Sequence, residues 1–325
     1  MALSPTPSKH HAVLPFAACA AGDWLPAVKT MPPTSFRNFG KLLQGMKLIH
    51  TDTGDAGSLS PPHERVLARI LGLKVVDGLI PWAAWQQQQA GEQTAGKAWA
   101  HITPCHWAMG REHATMTDLT ALDLQEDESR TLLAAMQPYL ETNGITLHYR
   151  EPTRWLAEGE VFRTLPSASL DRVLGRSVDA WLPSGVIGRA TRLLQNEMQM
   201  LLYTHPVNDA RAAKRQRAVN SFWISGSGAL PDTFDPMTPP RLTTPRNLAQ
   251  AAFNDDWAAY AQAWAALDAT EGADLLARQQ RGDSVMLSLC GERNALTFET
   301  ARIGLLAKIT SLFEAQPLPM LLEQL

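Results

Sequence analysis

Cysteine is scarce in this sequence, and its spacing excludes the commonest cysteine-based sites. The 325 residues include three cysteines, Cys19, Cys105 and Cys290, and no CxxC pair. Zinc knuckles and redox dithiols need closely spaced cysteine pairs, so we expect neither. Widely separated thiols in an odd number also argue against a disulfide framework and favour a reducing, cytoplasmic setting.

Long apolar runs and an excess of one charge are also missing. No apolar run approaches the length that spans a bilayer, so we expect no membrane segment. The segment KHHAVLPFAACAAG (9–22) has a basic start and a short apolar run, but Pro15 interrupts it. This interruption favours a buried first strand over an export signal. A net charge of −3 argues against bulk binding to nucleic acid.

Several short catalytic motifs are absent as well. The sequence contains no GxSxG nucleophile elbow, no HExxH zinc helix and no Walker phosphate loop. No internal repeat is visible. None of these motifs therefore assigns a reaction class to the sequence.

The residues that are present predict an α+β or mixed α/β fold, with a mixed sheet, hairpins and packed helices. We expect an N-terminal α/β part over 1–100 and an α+β part over 101–325, or one continuous domain. Apolar periodicity predicts helices over 35–51, 61–73, 124–144, 185–204, 247–267 and 300–315. Extended runs predict strands over 12–17 and 219–225, and strand pairs over 98–119, 145–159 and 284–299.

The segment THPVNDARAAKRQRAVNSFWISGSG (204–228) is the first candidate site. Asn208 is a favourable N-cap for a helix beginning at Asp209. On that helix Arg211, Lys214 and Arg215 share one face, which suits a phosphate or a carboxylate. Glycines then follow the strand, where backbone N–H groups can approach an anion. The alternative is a solvated charged face beside a capped structural corner.

The segment HITPCHWAMGREH is the second candidate site. His101, His106 and His113 could bind a metal together with Cys105 if a hairpin gathered them. On a strand, however, alternation puts His106 on the face opposite His101 and Cys105. We therefore expect His106 to hydrogen-bond substrate or backbone across the hairpin, and we assign no metal ligand.

Two family resemblances rest on these segments. The pattern of His205, Pro206, Asn208, Arg211, Asn220, Gly226 and Gly228 resembles a segment of archaeal-type cofactor-independent phosphoglycerate mutases, although that family tends to have glycine where Gln216 stands. LSPPHERVLARILGL, ITPCHWAMGREHATM and SLDRVLGRSVDAWLP are similar to RpfE-type regulatory proteins, uncharacterised bacterial proteins that also carry the label of phosphoglycerate mutase.

The mutase resemblance implies a ligand site and, for catalysis, a metal centre. The implied ligand is a small phosphorylated or carboxylated molecule, held by His205, Asn208, Arg211, Asn220, Gly226 and Gly228 with His106. Catalysis in such mutases needs two divalent ions bound by aspartate and histidine, and a serine nucleophile. Here MKLIHTDTGDAGS (46–58) is the only candidate start for such a centre, with Asp52 and Asp55 after KLIH, and we expect both aspartates to be polar loop residues.

These resemblances leave three interpretations open. We favour a non-catalytic regulatory or ligand-sensing protein that uses no cofactor. The alternative is a metal-dependent phosphoglycerate mutase or related phosphotransferase that uses a divalent ion such as manganese. In the third, the segment is a scaffold that binds nothing. The sequence identifies no protein partner.

Overall fold

The computed structural model describes residues 9–235, 239–301 and 317–325. It confirms the mixed α/β class, with a mixed sheet, antiparallel sheets and packed helices. Within these ranges, no helix is both long and apolar enough to cross a bilayer. The predicted helix over 300–315 lies almost wholly outside the described residues.

The chain divides into two compact units, each built from separate segments. Unit 1 falls within residues 1–56, 62–71 and 237–325, and unit 2 comprises 57–61 and 72–236. A boundary near residue 100, or one continuous domain, stays a prediction. A chain that leaves a unit and returns to it gives no local signal at the crossing points, since composition stays similar on both sides.

Unit 1 is built on a five-stranded sheet in the order β2-β11-β10-β1-β9. Strand β1 lies between β10 and β9 and is parallel to both, whereas β11 pairs antiparallel with β10 and β2. The strands are β1 (His10–Leu14), β2 (Met46–Asp52), β9 (Arg241–Thr243), β10 (Val285–Cys290) and β11 (Ala295–Thr300). The helices are α1 (Trp24–Thr30), α2 (Arg37–Gln44), α3 (Pro62–Ile70), α8 (Asn247–Phe253), α9 (Trp257–Leu267), α10 (Ala273–Gln280) and α11 (Leu318–Leu322).

Unit 2 contains a four-stranded antiparallel sheet in the order β6-β7-β3-β8 and a separate hairpin of β4 and β5. The strands are β3 (Ala98–Cys105), β4 (Trp107–Met109), β5 (Ala114–Met116), β6 (Thr146–Glu151), β7 (Arg154–Glu158) and β8 (Ser221–Ala229). The helices are α4 (Trp82–Gln89), α5 (Glu126–Glu141), α6 (Gly185–Tyr203) and α7 (Pro206–Ala213). Apolar side chains of β3, α5 and α6 share one core beneath this sheet.

Two predicted helices are shorter than their apolar spacing suggested. The helix expected over 35–51 ends at Gln44, and the residues after Gly45 form β2 at the sheet edge. Pairing with β11 outweighs the helical periodicity there. The helix expected over 247–267 is interrupted between α8 and α9, where Asp255 has φ of 50° and Asp256 caps α9 by accepting from Ala259 N at 2.9 Å.

Candidate functional site

The turn between α6 and α7 is capped by His205. The predicted start at Asp209 is wrong, because α7 begins at Pro206 and His205 is its N-cap. The imidazole Nδ1 accepts a hydrogen bond from Val207 N at 3.2 Å. Proline favours the first helical position, since its fixed φ suits the helix and it has no N–H to satisfy there. His205 therefore caps the N-terminus of α7 with its ring nitrogen.

Asn208 is the third residue of α7, so it is not the N-cap, and it is buried. Its amide group donates to Leu202 O at 2.8 Å and to Val219 O at 2.9 Å. Its Oδ1 accepts from Val219 N at 2.8 Å. One side chain thus connects the end of α6 to the residue that precedes β8 by two positions.

Arg211 is the most deeply buried cation of the segment, with no exposed surface. Its guanidinium donates to Arg217 O at 2.7 Å and to Leu122 O, and it forms an ion pair with Glu128. The shared basic face predicted for Arg211, Lys214 and Arg215 is not formed. Helix α7 ends at Ala213, so the other two cations lie beyond it and are exposed.

Asn220 and His106 hold the start of β8 against the turn between β3 and β4. Asn220 accepts from Trp107 N at 2.7 Å and donates to Trp107 O at 2.9 Å. His106 Nδ1 lies 2.8 Å from Ala218 O, so its backbone partner precedes β8 and does not belong to the predicted 98–119 hairpin. Both side chains therefore have backbone partners on a neighbouring segment.

Gly226 and Gly228 lie within β8, at positions that favour glycine. Their φ angles are +63° and +149°, in the region that L side chains rarely adopt. A Cβ on Gly226 would lie 3.0 Å from atoms of both His101 and Trp82, and one on Gly228 would lie 2.9 Å from Pro81. Both glycines thus allow α4 and its preceding loop to approach β8 closely.

Five of the predicted site residues lie around a corner that joins α6, α7, β4 and the start of β8; they are His205, Asn208, Arg211, Asn220 and His106. Gly226 and Gly228 lie further along β8, beside α4 and its preceding loop. Each polar side chain among them that we have described has backbone or carboxylate partners within the protein. The sequence left open an anion site or a structural corner, and these contacts favour the corner. Ligand binding by these residues stays a prediction.

The histidine and cysteine residues of the second candidate site, His101, Cys105, His106 and His113, form no metal-binding group within the part of the chain that the structure describes. Among residues 9–235, 239–301 and 317–325, no group of three or more histidine, cysteine, aspartate or glutamate side chains could hold a metal ion. His101 is buried on β3, and burial, with a smaller contribution from Arg154, lowers its pKa to about 4. Burial also raises the pKa of the Cys105 thiol, so this cysteine is not a reactive thiolate.

Asp52 is not the loop residue that the sequence predicts. It is the last residue of β2 and is 4% exposed, and both Arg65 and Arg69 form ion pairs with its carboxylate. Asp55 does lie in an exposed loop, as predicted. The one early strand-end aspartate is therefore neutralised by two guanidinium groups, which does not fit the aspartate–histidine cage that a two-metal centre needs.

A cavity of about 540 Å³ in unit 2 is the strongest candidate for a ligand site. It lies beside Gly228 at the end of β8, and its wall is largely apolar, with Leu79 and Phe234 among the lining residues. Among the residues that the structure describes, the charged side chains of the lining are Lys74 and Arg163, and no lining residue is acidic. Arg163 is engaged by Glu160 and also donates to Gly96 O at 2.9 Å. Lys74 has no ionic partner among the described residues.

Sequence reasoning missed this cavity except for Gly228. Lys74 follows the end of α3 and Arg163 lies in a short 3₁₀ turn, 89 positions further along the chain. Nothing local in the sequence indicates that two such distant cations line one space. The proline and glycine content near 72–81 and 226–231 is the one signal that marks these segments as irregular.

Comparisons with known proteins give a limited result. No family model and no curated protein matches the sequence. The structure is similar to that of the cofactor-independent phosphoglycerate mutase from Thermoplasma acidophilum DSM 1728, with 11% identity, a TM-score of 0.35, and coverage of 91% of this chain and 90% of that chain. It is also similar to the PH0037 protein from Pyrococcus horikoshii, with 11% identity, a TM-score of 0.40, and coverage of 91% and 88%. Membership in the RpfE-type family stays a prediction.

Proposed function

We propose that this chain is a non-catalytic regulatory or ligand-sensing protein that binds a small phosphorylated or carboxylated molecule in the 540 Å³ cavity of unit 2. The observation that carries the proposal is the lining of this cavity, whose described residues combine an apolar wall with two cations and no acidic side chain. Its volume lies within the range of about 300–1,000 Å³ typical of small-molecule sites. An anion with a short carbon skeleton suits both parts of the wall.

Lys74 is the residue we expect to hold the anion. Arg163 already has Glu160 as its partner, whereas the Lys74 ammonium has no ionic partner among the described residues. A lysine can move its flexible side chain to a phosphate or carboxylate without first giving up a protein contact.

The chemistry of the lining favours binding over turnover. Among the described residues, the lining includes no histidine, cysteine, serine, aspartate or glutamate, so apart from Lys74 it offers no general base or nucleophile to the ligand. Asp52, at the end of β2, was the candidate for the first ligand of a metal centre. Its carboxylate forms ion pairs with Arg65 and Arg69. A protein that binds a metabolite without converting it has the property that a sensor needs.

Thermal shift and isothermal titration calorimetry with 3-phosphoglycerate and related acids test the proposal. We expect Lys74→Ala to weaken binding by about 10- to 100-fold, which is the loss of one charged hydrogen bond of roughly 1.5–3 kcal/mol. Lys214→Ala is the matched control, because Lys214 is an exposed lysine of the same unit outside the cavity lining.

Two outcomes would contradict this assignment. If no phosphorylated or carboxylated acid binds, the scaffold interpretation replaces it. If Lys214→Ala abolishes binding and Lys74→Ala does not, the anion lies near the basic residues after α7 and not in the cavity. Bound manganese together with conversion of phosphoglycerate would instead favour the alternative, a metal-dependent mutase or phosphotransferase.

A further inference from the structure

Helix α6 carries a stripe of exposed apolar side chains on the face away from its core. Leu194, Met198 and Leu202 are buried on one side. Val186, Leu193 and Met200 are 89%, 59% and 68% exposed. Each residue of an α-helix turns by about 100° around the helix axis, so these three side chains lie within roughly 20° of the direction of Leu193. They point away from the buried side. An isolated surface leucine is ordinary, but an aligned stripe along a helix marks a contact surface.

The stripe is symmetric about Leu193. Val186 and Met200 are each seven residues from Leu193, in opposite directions. Arg189 and Glu197 are each four residues from it, also in opposite directions, and both are exposed. Neither forms an ion pair with another described residue. A two-fold axis through Leu193 would therefore place Val186 opposite Met200 and Arg189 opposite Glu197.

We propose that this stripe is the contact surface of a homodimer, in which α6 packs antiparallel against α6 of a second copy about a two-fold axis at Leu193. Charge complementarity selects this partner and this orientation. In the antiparallel pair each Arg189 lies level with the Glu197 of the other copy. The two arginines are then separated by about 12 Å along the axis, since eight residues rise 1.5 Å each. A parallel pair would instead place arginine opposite arginine and glutamate opposite glutamate.

A membrane surface fits the stripe less well. Interfacial helices combine an apolar face with an excess of lysine and arginine, because anionic lipids attract cations. Here the two charges beside the stripe are one arginine and one glutamate, which cancel each other. Such balance suits a surface that is complementary to itself.

The expected dimer is weak and depends on concentration. Helix α6 has 19 residues. One pair of helices of that length buries less surface than the roughly 1,600 Å² of a standard interface. We therefore expect sedimentation velocity to move from monomer towards dimer between about 5 and about 500 µM. Monomer throughout this range would contradict the proposal.

Charge reversal separates this interface from a general effect on the surface. Arg189→Glu alone and Glu197→Arg alone each place like charges across the seam twice, and we expect each to weaken dimerisation at least 10-fold. The double variant R189E/E197R restores opposite charges and restores the dimer. Lys214→Glu is the control with the same change in charge away from the stripe. Circular dichroism confirms that all variants are folded. Weakening by Lys214→Glu as well, or no rescue in the double variant, would overturn the register.

Engineered cysteines test the orientation directly. The native cysteines are all buried, so mild oxidation reports only on introduced thiols. Leu193→Cys should crosslink to itself, because helices packed 8–10 Å apart bring these positions within disulfide reach at the axis. Val186→Cys and Met200→Cys should crosslink when the two variants are mixed, and neither should crosslink alone. Efficient crosslinking of Val186→Cys alone would show a parallel pair and overturn the proposal.

Discussion

At the scale of single residues, the corner around His205 shows how a pattern of polar residues can serve the fold and still look like a ligand site. A buried arginine or asparagine must find hydrogen-bond partners, whether these are a ligand or the backbone. The sequence identified Asn208, Arg211 and Asn220 as special, but it could not say which partner each one takes. The tertiary fold brings Val219 to Asn208, Leu122 and Glu128 to Arg211, and Trp107 to Asn220.

Arg211 provides the clearest test of this structural role. Arg211→Leu would leave the Glu128 carboxylate without its guanidinium, and removing one member of a buried pair costs about 3–5 kcal/mol. We expect a loss of this size in the free energy of unfolding, measured with urea. Lys214→Leu at the exposed position should change it by less than about 0.5 kcal/mol. A fully stable Arg211→Leu protein that no longer binds anions would restore the ligand role to Arg211.

His101 predicts how stability depends on pH. Burial lowers its pKa to about 4, from 6.5 in an unfolded chain, so the unfolded state binds more protons between these values. Its contribution to the free energy of unfolding is therefore complete above pH 6.5. It falls by about 1.4 kcal/mol for each pH unit below that, until pH 4.

The matching variant is His101→Leu, which has no titrating group at this position. Urea unfolding from pH 7.5 down to pH 4.5 should show a shallower loss of stability for the variant than for the wild-type protein. His11, whose pKa burial also lowers to about 4, keeps part of the slope in both. Equal slopes in the two proteins would contradict the account of His101.

At the scale of elements, periodic patterns predicted which helices and strands exist better than they predicted where each one begins and ends. The helices α3, α5 and α6 and the strand pairs β6/β7 and β10/β11 appear where apolar spacing and turn residues place them. The run after Gly45 failed, because its helical spacing competes with a strand partner that lies about 250 residues away. The exposed stripe of α6 was also missed, since a pattern search attributes apolar residues to the core face.

Gly226 tests the close approach of α4 to β8. Gly226→Ala places a Cβ at 3.0 Å from His101 and Trp82 at a φ of +63°. Gly144→Ala is the matched control, because Gly144 has a φ of +70° but no atom within 4 Å of its added Cβ. Crowding should therefore make Gly226→Ala cost about 1–3 kcal/mol more than the control in thermal or urea unfolding. Equal losses of stability in the two variants would show that His101 and Trp82 move aside without strain.

At the scale of the whole molecule, the fold class followed from composition and pattern, but the division into units did not. Unit 1 gathers segments from both ends of the chain, and such closure depends on packing that no local window contains. The same holds for the cavity, whose cations Lys74 and Arg163 come from different irregular segments. Function at this scale depends on whether the protein binds an anion and leaves it unchanged.

Phosphorus-31 NMR of 3-phosphoglycerate tests that claim most directly. The ligand is mixed with the protein in manganese-free buffer, and the spectrum is recorded again after a divalent ion is added. Exchange with the cavity should broaden or shift the phosphate resonance of the ligand in the wild-type protein and much less in Lys74→Ala. No resonance of 2-phosphoglycerate should appear after the ion is added. Formation of 2-phosphoglycerate, or a resonance that the protein leaves unchanged, would contradict the account of a protein that binds this class of ligand without converting it.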